Sequence, residues 1–194
     1  MGTSETTPPG YNQAELAEHL GLRAWQVAVG REFGLIPAPD LDPRWSATTA
    51  AALTGEADRI RAAVGAEYPI GGQRAAGRLA VLSGLDVTPA DVAALAEQGL
   101  LTVAARYTSN DRSHDLFAPA QLDRVAAEQA AALAAVVAER IAWIVAGLSI
   151  ADAATALGWQ RQDQFLEFAQ RRGLLQKHGH YARTDLEALV AEGG

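Results

Sequence analysis

Apolar positions in this chain fall into short helical stretches that stop at glycine, and the same arrangement occurs three times. The first copy reads Gln13-Ala14-Glu15-Leu16-Ala17-Glu18-His19-Leu20-Gly21-Leu22, continues through Arg23 to Phe33 and closes on Gly34-Leu35-Ile36. The second reads Gly77-Arg78-Leu79-Ala80-Val81-Leu82-Ser83-Gly84-Leu85, then Asp86 to Gln98, then Gly99-Leu100-Leu101. The third reads Ile150-Ala151-Asp152-Ala153-Ala154-Thr155-Ala156-Leu157-Gly158-Trp159, then Gln160 to Arg172, then Gly173-Leu174-Leu175. Turn glycine and second glycine stand 15 residues apart in copies two and three and 13 apart in copy one. Each copy therefore predicts a helix, a glycine turn, a second helix and a glycine stop. Gly21, Gly84 and Gly158 fall where a helix ends in a left-handed conformation that costs a residue with a Cβ about 1 kcal/mol or more.

Copy two adds a strong helix start, Thr88-Pro89-Ala90-Asp91, with a capping hydroxyl, proline at the first helical position and an acid three residues on. Val92, Leu95 and Ala96 give its second helix one apolar face, and Phe165, Phe168 and Ala169 do so in copy three. After the second glycine the pattern changes to short strands. Leu100 to Arg106 and a segment ending at Phe117 flank the polar tip Thr108-Ser109-Asn110-Asp111-Arg112-Ser113, and Leu174 to Tyr181 is a shorter version turning near Gly179. The matching stretch of copy one, Pro37 to Trp45, is richer in proline and less strand-like. An aromatic residue, Trp45, Phe117 or Tyr181, then precedes a third helix.

Helix, turn, helix, hairpin, helix is the order of a winged helix-turn-helix. The run Ala14 to Leu22 with Gly34-Leu35-Ile36-Pro37 and Arg44-Trp45-Ser46 resembles the winged helix-turn-helix of excisionases and MerR-type regulators. Gly173-Leu174-Leu175 with Tyr181-Ala182-Arg183-Thr184-Asp185-Leu186 resembles it as well. The resemblance covers residues 12–53 and 149–191, and 72–124 more loosely. It implies a mainly α fold with small β wings, in which tandem winged helix-turn-helix modules are joined by helices. The expected organisation is a disordered tail over 1–11, module one over 12–54, a linker helix within 55–71, a module-like segment over 72–120, a long connecting helix over 121–147 and module three over 148–194. In the connecting segment Leu122, Val125, Ala126, Ala130, Leu133, Val136, Val137, Ile141, Ile144 and Val145 recur at helical spacing. That helix reads as a spine between copies two and three, with a homodimer seam through residues 121–146 as the other reading.

Composition and charge narrow the chemistry. The 194 residues are 49% hydrophobic and 20% charged, ordinary for a globular chain, and aromatics at 6% leave an aliphatic, alanine-rich core. Cysteine is absent, which excludes disulfides, thiol catalysis and cysteine-ligated zinc. All but one of the 16 basic residues are arginine, Lys177 being the only lysine, a skew that with the alanine content fits high-GC bacterial coding. The first ten residues carry neither a basic region nor an apolar run, and no stretch approaches the ~20 apolar residues of a membrane helix, so a cytoplasmic, nucleoid-associated location is expected. A net charge of −7 opposes strong nonspecific affinity for nucleic acid, yet the window from Gly158 to Arg183 carries +3.

Candidate contacts follow from residue type. Gln160, Arg161, Gln162 and Gln164 at the start of the second helix of copy three are types that read adenine (Gln) and guanine (Arg) in the major groove. Arg171, Arg172, Lys177 and Arg183 would lie near phosphates, with His178 and His180 at the wing tip. In copy one the corresponding candidates are Arg23, Gln26, Arg31 and Arg44. Copy two carries Asp86, Asp91 and Glu97 where a groove-facing helix avoids carboxylates, so it reads as partly structural. The pair His178-x-His180 lacks further metal ligands, no Gly-x-Ser-x-Gly or phosphate-cradling Gly-x-x-x-x-Gly-Lys occurs, and neither enzyme activity, metal nor cofactor is expected. The expected function is sequence-specific binding of double-stranded DNA by a bacterial transcriptional regulator or recombination accessory factor. The alternative is a protein–protein interaction adaptor built on winged-helix modules that no longer bind DNA.

Overall fold

The computed structural model describes residues 10–109 and 112–192. The chain is mainly helical with two small antiparallel sheets among those residues, and it divides between Leu133 and Ala134 into two compact units.

The N-terminal unit begins with α1 (Gln13–His19), α2 (Ala24–Glu32), α3 (Ala47–Thr54) and α4 (Ala57–Val64). It continues through β1 (Ile70–Gly71), α5 (Gly72–Ser83), α6 (Pro89–Glu97), β2 (Ala105–Ser109), β3 (Arg112–Phe117) and α7 (Pro119–Glu128). Helix α8 (Ala130–Ala146) spans the division, and β4 (Leu148–Ser149), α9 (Ile150–Ala156), α10 (Gln162–Arg171), β5 (Gln176–Lys177), β6 (His180–Tyr181) and α11 (Arg183–Glu192) follow.

Local chemistry sets the helix starts. Asn12 Oδ1 accepts from the N–H groups of Ala14 and Glu15 at 2.9 and 3.0 Å, and Glu15 Oε2 accepts from the Asn12 N–H at 2.8 Å, closing a reciprocal cap on α1. Before α6, Asp91 Oδ2 accepts from both the N–H and the hydroxyl of Thr88, each at 2.8 Å. Asp91 is thus fully buried inside its own cap, and does not face outward as the carboxylate pattern of copy two suggested. Gly84 and Gly158 carry the left-handed turns, at φ 72° and 76°.

Helix α3 is held by a carboxylate from outside it. Asp40 accepts from the Ser46 N–H at 2.7 Å, the Ser46 hydroxyl at 2.6 Å and the Thr49 hydroxyl at 2.8 Å. The bonds from Ser46, then that from Thr49, lower its pKa from 3.8 to about 2. A depressed folded-state pKa gives stability that is present above about pH 4 and lost as pH falls to about 2. Urea unfolding should therefore show Asp40→Asn below the parent chain at neutral pH, with the gap closing on acidification. A gap independent of pH would contradict this origin.

The same strand connection closes each repeat. Tyr11 and Trp45 exchange backbone hydrogen bonds of 2.7 and 2.9 Å, Ile70 pairs with Phe117, and Leu148 pairs with Tyr181. The aromatic residue ahead of each third helix thus pairs with the residue two positions before the first helix, Tyr11, Ile70 or Leu148. The sheets run β1-β3-β2 and β4-β6-β5. Ile70-Gly71, at the end of the stretch expected to be a linker helix, is therefore an edge strand. At Gly147 a Cβ would lie 2.9 Å from the carbonyl oxygens of both Trp143 and Tyr181, so glycine is what lets the backbone approach this closely.

Three further expectations change. Residues 1–9 of the predicted tail lie outside the described residues, while Gly10 and Tyr11 are pinned to Arg44 and Trp45. The linker helix is core: Ile60 and Val64 of α4 are fully buried in one cluster with Leu16, Val27, Ile36 and Trp45, which also takes in Ala104 and Ala118 from copy two. The connecting helix over 121–147 is two helices broken at Gln129, φ −127° and ψ 28°. Its apolar spacing stays in phase across the break and no Gly or Pro marks it, so the sequence pattern reads through. Elsewhere α2 runs unbroken through Gly30, where a Cβ would come within 2.9 Å of Ile36 Cδ1.

Candidate nucleic-acid interface

In the C-terminal unit one face of α10 is committed to packing. Phe165 and Ala169 join Ala153, Ala154, Tyr181 and Leu186 in a small core, Phe165 meeting Tyr181 edge-on at 5.2 Å between ring centroids. Trp159 and Phe168, half-buried, pack beside it at 5.4 Å. The opposite face and the approach to the helix leave Gln160, Arg161, Gln162, Asp163, Gln164, Glu167, Gln170 and Arg171 exposed. The four residues expected to read base edges are thus brought to one solvent-facing end, together with carboxylates at Asp163 and Glu167.

Arg161 is the N-cap of α10, and Asp163 lies against it: Arg161 Nε donates to Asp163 Oδ1 at 3.1 Å and Nη2 donates to Oδ2. This fork holds the Asp163 carboxyl below the usual carboxylate range and raises the Arg161 guanidinium. Arg171 Nε donates to its own helix at Glu167 O, 3.3 Å, and the Arg172 guanidinium carbon lies 5.8 Å from the centre of the Phe168 ring. Arg183 is exposed at the start of α11.

The wing departs from expectation at Lys177. Lys177, placed near phosphate by its sequence position, is half-buried with Nζ 2.5 Å from Glu139 Oε1 and 5.9 Å from the centre of the Trp143 ring. Its ammonium is therefore already engaged by α8, and Glu139 is held below the usual range mainly by that hydrogen bond. His178 lies in the hairpin turn, at φ 53° beside Gly179 at φ 74°, a primed-turn geometry that suits a two-residue hairpin. His180 Nδ1 lies 2.9 Å from His178 O. Among the described residues no group of three or more His, Asp or Glu is arranged to hold a metal ion.

Copy one separates its four candidates. Arg23, the N-cap of α2, and Arg31, 5.7 Å above Trp45, are exposed. Gln26 is buried, its Oε1 accepting from the Arg23 N–H at 2.9 Å and its Nε2 donating to Gly65 O at 2.7 Å, so it joins α2 to the end of α4 and reads no base. Arg44 donates from Nε and Nη2 to Gly10 O at 3.0 and 2.7 Å and pairs with Glu15 at 2.5 Å, which removes it from the phosphate candidates. Gln26→Ala should cost about 1–3 kcal/mol of stability by leaving Gly65 O without its partner, measurable as a lower urea midpoint. An unchanged midpoint would mean that water replaces the amide.

Copy two is a different surface. Pro89, Ala90, Ala93, Glu97 and Gln98 are the exposed positions along α6, and none is a cation. On its wing Arg106 pairs with Asp115 at 3.0 Å and exposed Tyr107 stands opposite His114. The hairpin tip at Asn110 and Asp111 lies outside the described residues. Arg78 joins α5 to α7 through Asp123 at 2.6 and 2.8 Å and reaches Glu67 at 3.2 Å. Exposed Arg74, Arg112 and Asp163 were not among the contacts expected from the sequence. Only Asp163 carried a local signal, an acid two positions after an arginine at a helix start.

Set beside known proteins, the chain matches no family model, no curated protein and no solved structure, so the functional reading rests on its own side chains.

Proposed function

We propose that this protein binds double-stranded DNA sequence-specifically through the C-terminal of three winged helix-turn-helix modules, as a bacterial transcriptional regulator or recombination accessory factor. The observation that carries the reading is the exposed cluster Gln160, Arg161, Gln162 and Gln164 at the start of a helix whose opposite face is packed. In this reading the N-terminal end of α10 enters the major groove, where arginine reads guanine O6 and N7 and glutamine reads adenine. Arg171, Arg172 and Arg183 supply phosphate contacts that fix register, and the turn at His178 forms the wing tip. Arg23 and Arg31 give module one a weaker basic edge.

Selection of bound oligonucleotides from a random duplex pool by the full chain tests the proposal and returns the site. A recovered consensus supports it; recovery of random sequence, or of nothing at low salt, overturns it. One observation favours a second reading for copy two. The exposed side of α6 offers alanines and Glu97 without a cation, a surface suited to a protein partner rather than to phosphate. Steep loss of DNA affinity with added salt argues for the first reading, and absence of DNA binding at every salt concentration argues for an adaptor.

A further inference from the structure

Asp163 stands in the first turn of α10 with its carboxylate across one edge of the Arg161 guanidinium, Nε to Oδ1 at 3.1 Å and Nη2 to Oδ2 closer still. A guanidinium has five N–H donors in a rigid plane. The fork takes one from Nε and one from Nη2. The end edge, made of Nη1 and the second hydrogen of Nη2, has no partner among the described residues. Two parallel donors on that edge are what O6 and N7 of guanine accept.

Arg161 is otherwise a long exposed side chain at a helix N-cap, with its side chain 65% accessible. Left alone, such a side chain gives up its rotamer freedom on reaching a base. Pinned by a carboxylate two residues away, it presents the end edge before DNA arrives. We propose that Asp163 is a positioning residue for Arg161, fixing the guanidinium so that the start of α10 selects a guanine, with Gln164 beside it for a neighbouring adenine. This rests on the DNA-binding reading above. Asp163 is a carboxylate at neutral pH with or without its partner, and the hydrogen bond from Arg161 shifts its pKa further down, so the fork joins two charged groups where binding is measured.

Charge gives the inference its test. The pair is net neutral, so it adds little to sequence-independent attraction for phosphate, and the carboxylate opposes that attraction. Asp163→Asn should therefore move two quantities in opposite directions. Affinity for random duplex rises, while discrimination for guanine at one position falls from roughly tenfold or more towards parity. Arg161→Ala should abolish the same discrimination, and the double variant should lose no more than Arg161→Ala alone, since the two residues act as one unit.

The experiment is pool selection and competition binding with the full chain, the two single variants and the double variant, with thermal unfolding monitored alongside. Loss of guanine preference in Asp163→Asn, with an unchanged melting temperature, supports positioning. Higher affinity at every sequence with the preference intact means that Asp163 only repels phosphate, which overturns the inference and leaves DNA binding standing. A parent chain that selects no duplex overturns both. Should Asp163→Asn fail to fold, Asp163→Glu carries the test, because it keeps the charge and changes the reach: reduced guanine preference supports the fork, and unaltered preference overturns it.

Discussion

Phe165→Ala is expected to cost the C-terminal unit about 3–5 kcal/mol, the range for removing a large buried aromatic side chain. Phe165 has no solvent exposure, and four of its core companions are Ala153, Ala154, Ala169 and the edge-packed ring of Tyr181. The methyl groups of these alanines cannot swing into the space left behind, so the cavity persists and its full cost is felt. A unit of this size has on the order of 3–5 kcal/mol of total stability, so the loss is comparable to the whole. Amide resonances of residues 134–192 should collapse towards random-coil positions at room temperature while those of the N-terminal unit stay dispersed, and DNA binding should vanish with them. Dispersed native resonances across both units would show that the C-terminal core does not depend on this ring.

The second large effect concerns discrimination. Arg161→Ala should weaken binding to the selected site by about 1–3 kcal/mol more than binding to random duplex, that excess being the worth of one good bidentate base contact, while the Asp163 carboxylate it leaves unpaired lowers both alike. Arg171→Ala should weaken both alike and lower the slope of affinity against salt by about one, as expected for a lost phosphate contact. Anisotropy titrations of labelled duplexes at several salt concentrations separate the two. Parallel losses from both substitutions at both duplexes would contradict a division into base-reading and phosphate-holding residues.

What the sequence revealed, and what it hid, divides by the range of the interaction. Turn glycines, the Thr88-Pro89 start and the apolar faces of α6 and α10 are local properties of a few adjacent residues, and each stands where the pattern put it. The edge strands at Ile70-Gly71 and Leu148-Ser149 are two residues long, too short to leave an alternation, and exist only because Phe117 and Tyr181 reach them. Trp45 is a fully buried anchor of the N-terminal core, while Trp25, Trp143 and Trp159 are half-buried. Among the candidate contacts, Gln160 and Arg161 are exposed ahead of α10 and Gln162 at its first residue, and the exposed Gln164 lies away in helical phase from the packed Phe165 and Ala169, which the sequence pattern shows. The engagement of Gln26 with Gly65, Arg44 with Gly10 and Lys177 with Glu139 joins residues 34 to 39 positions apart, beyond any local pattern.

The shared core of the N-terminal unit cannot be completed until the chain has been made as far as Ala118. Ala104 and Ala118 lie in the same cluster as Leu16, Val27 and Trp45, and the backbone at Gly65 comes so close to Ala120 that an added Cβ would lie 2.8 Å from the Ala120 side chain. A nascent chain that has emerged only as far as Gly71 would hold its first three helices and α4 against nothing on that side. Severing the polypeptide there would uncover apolar surface on both pieces, so limited proteolysis at Gly71 should not release two folded domains.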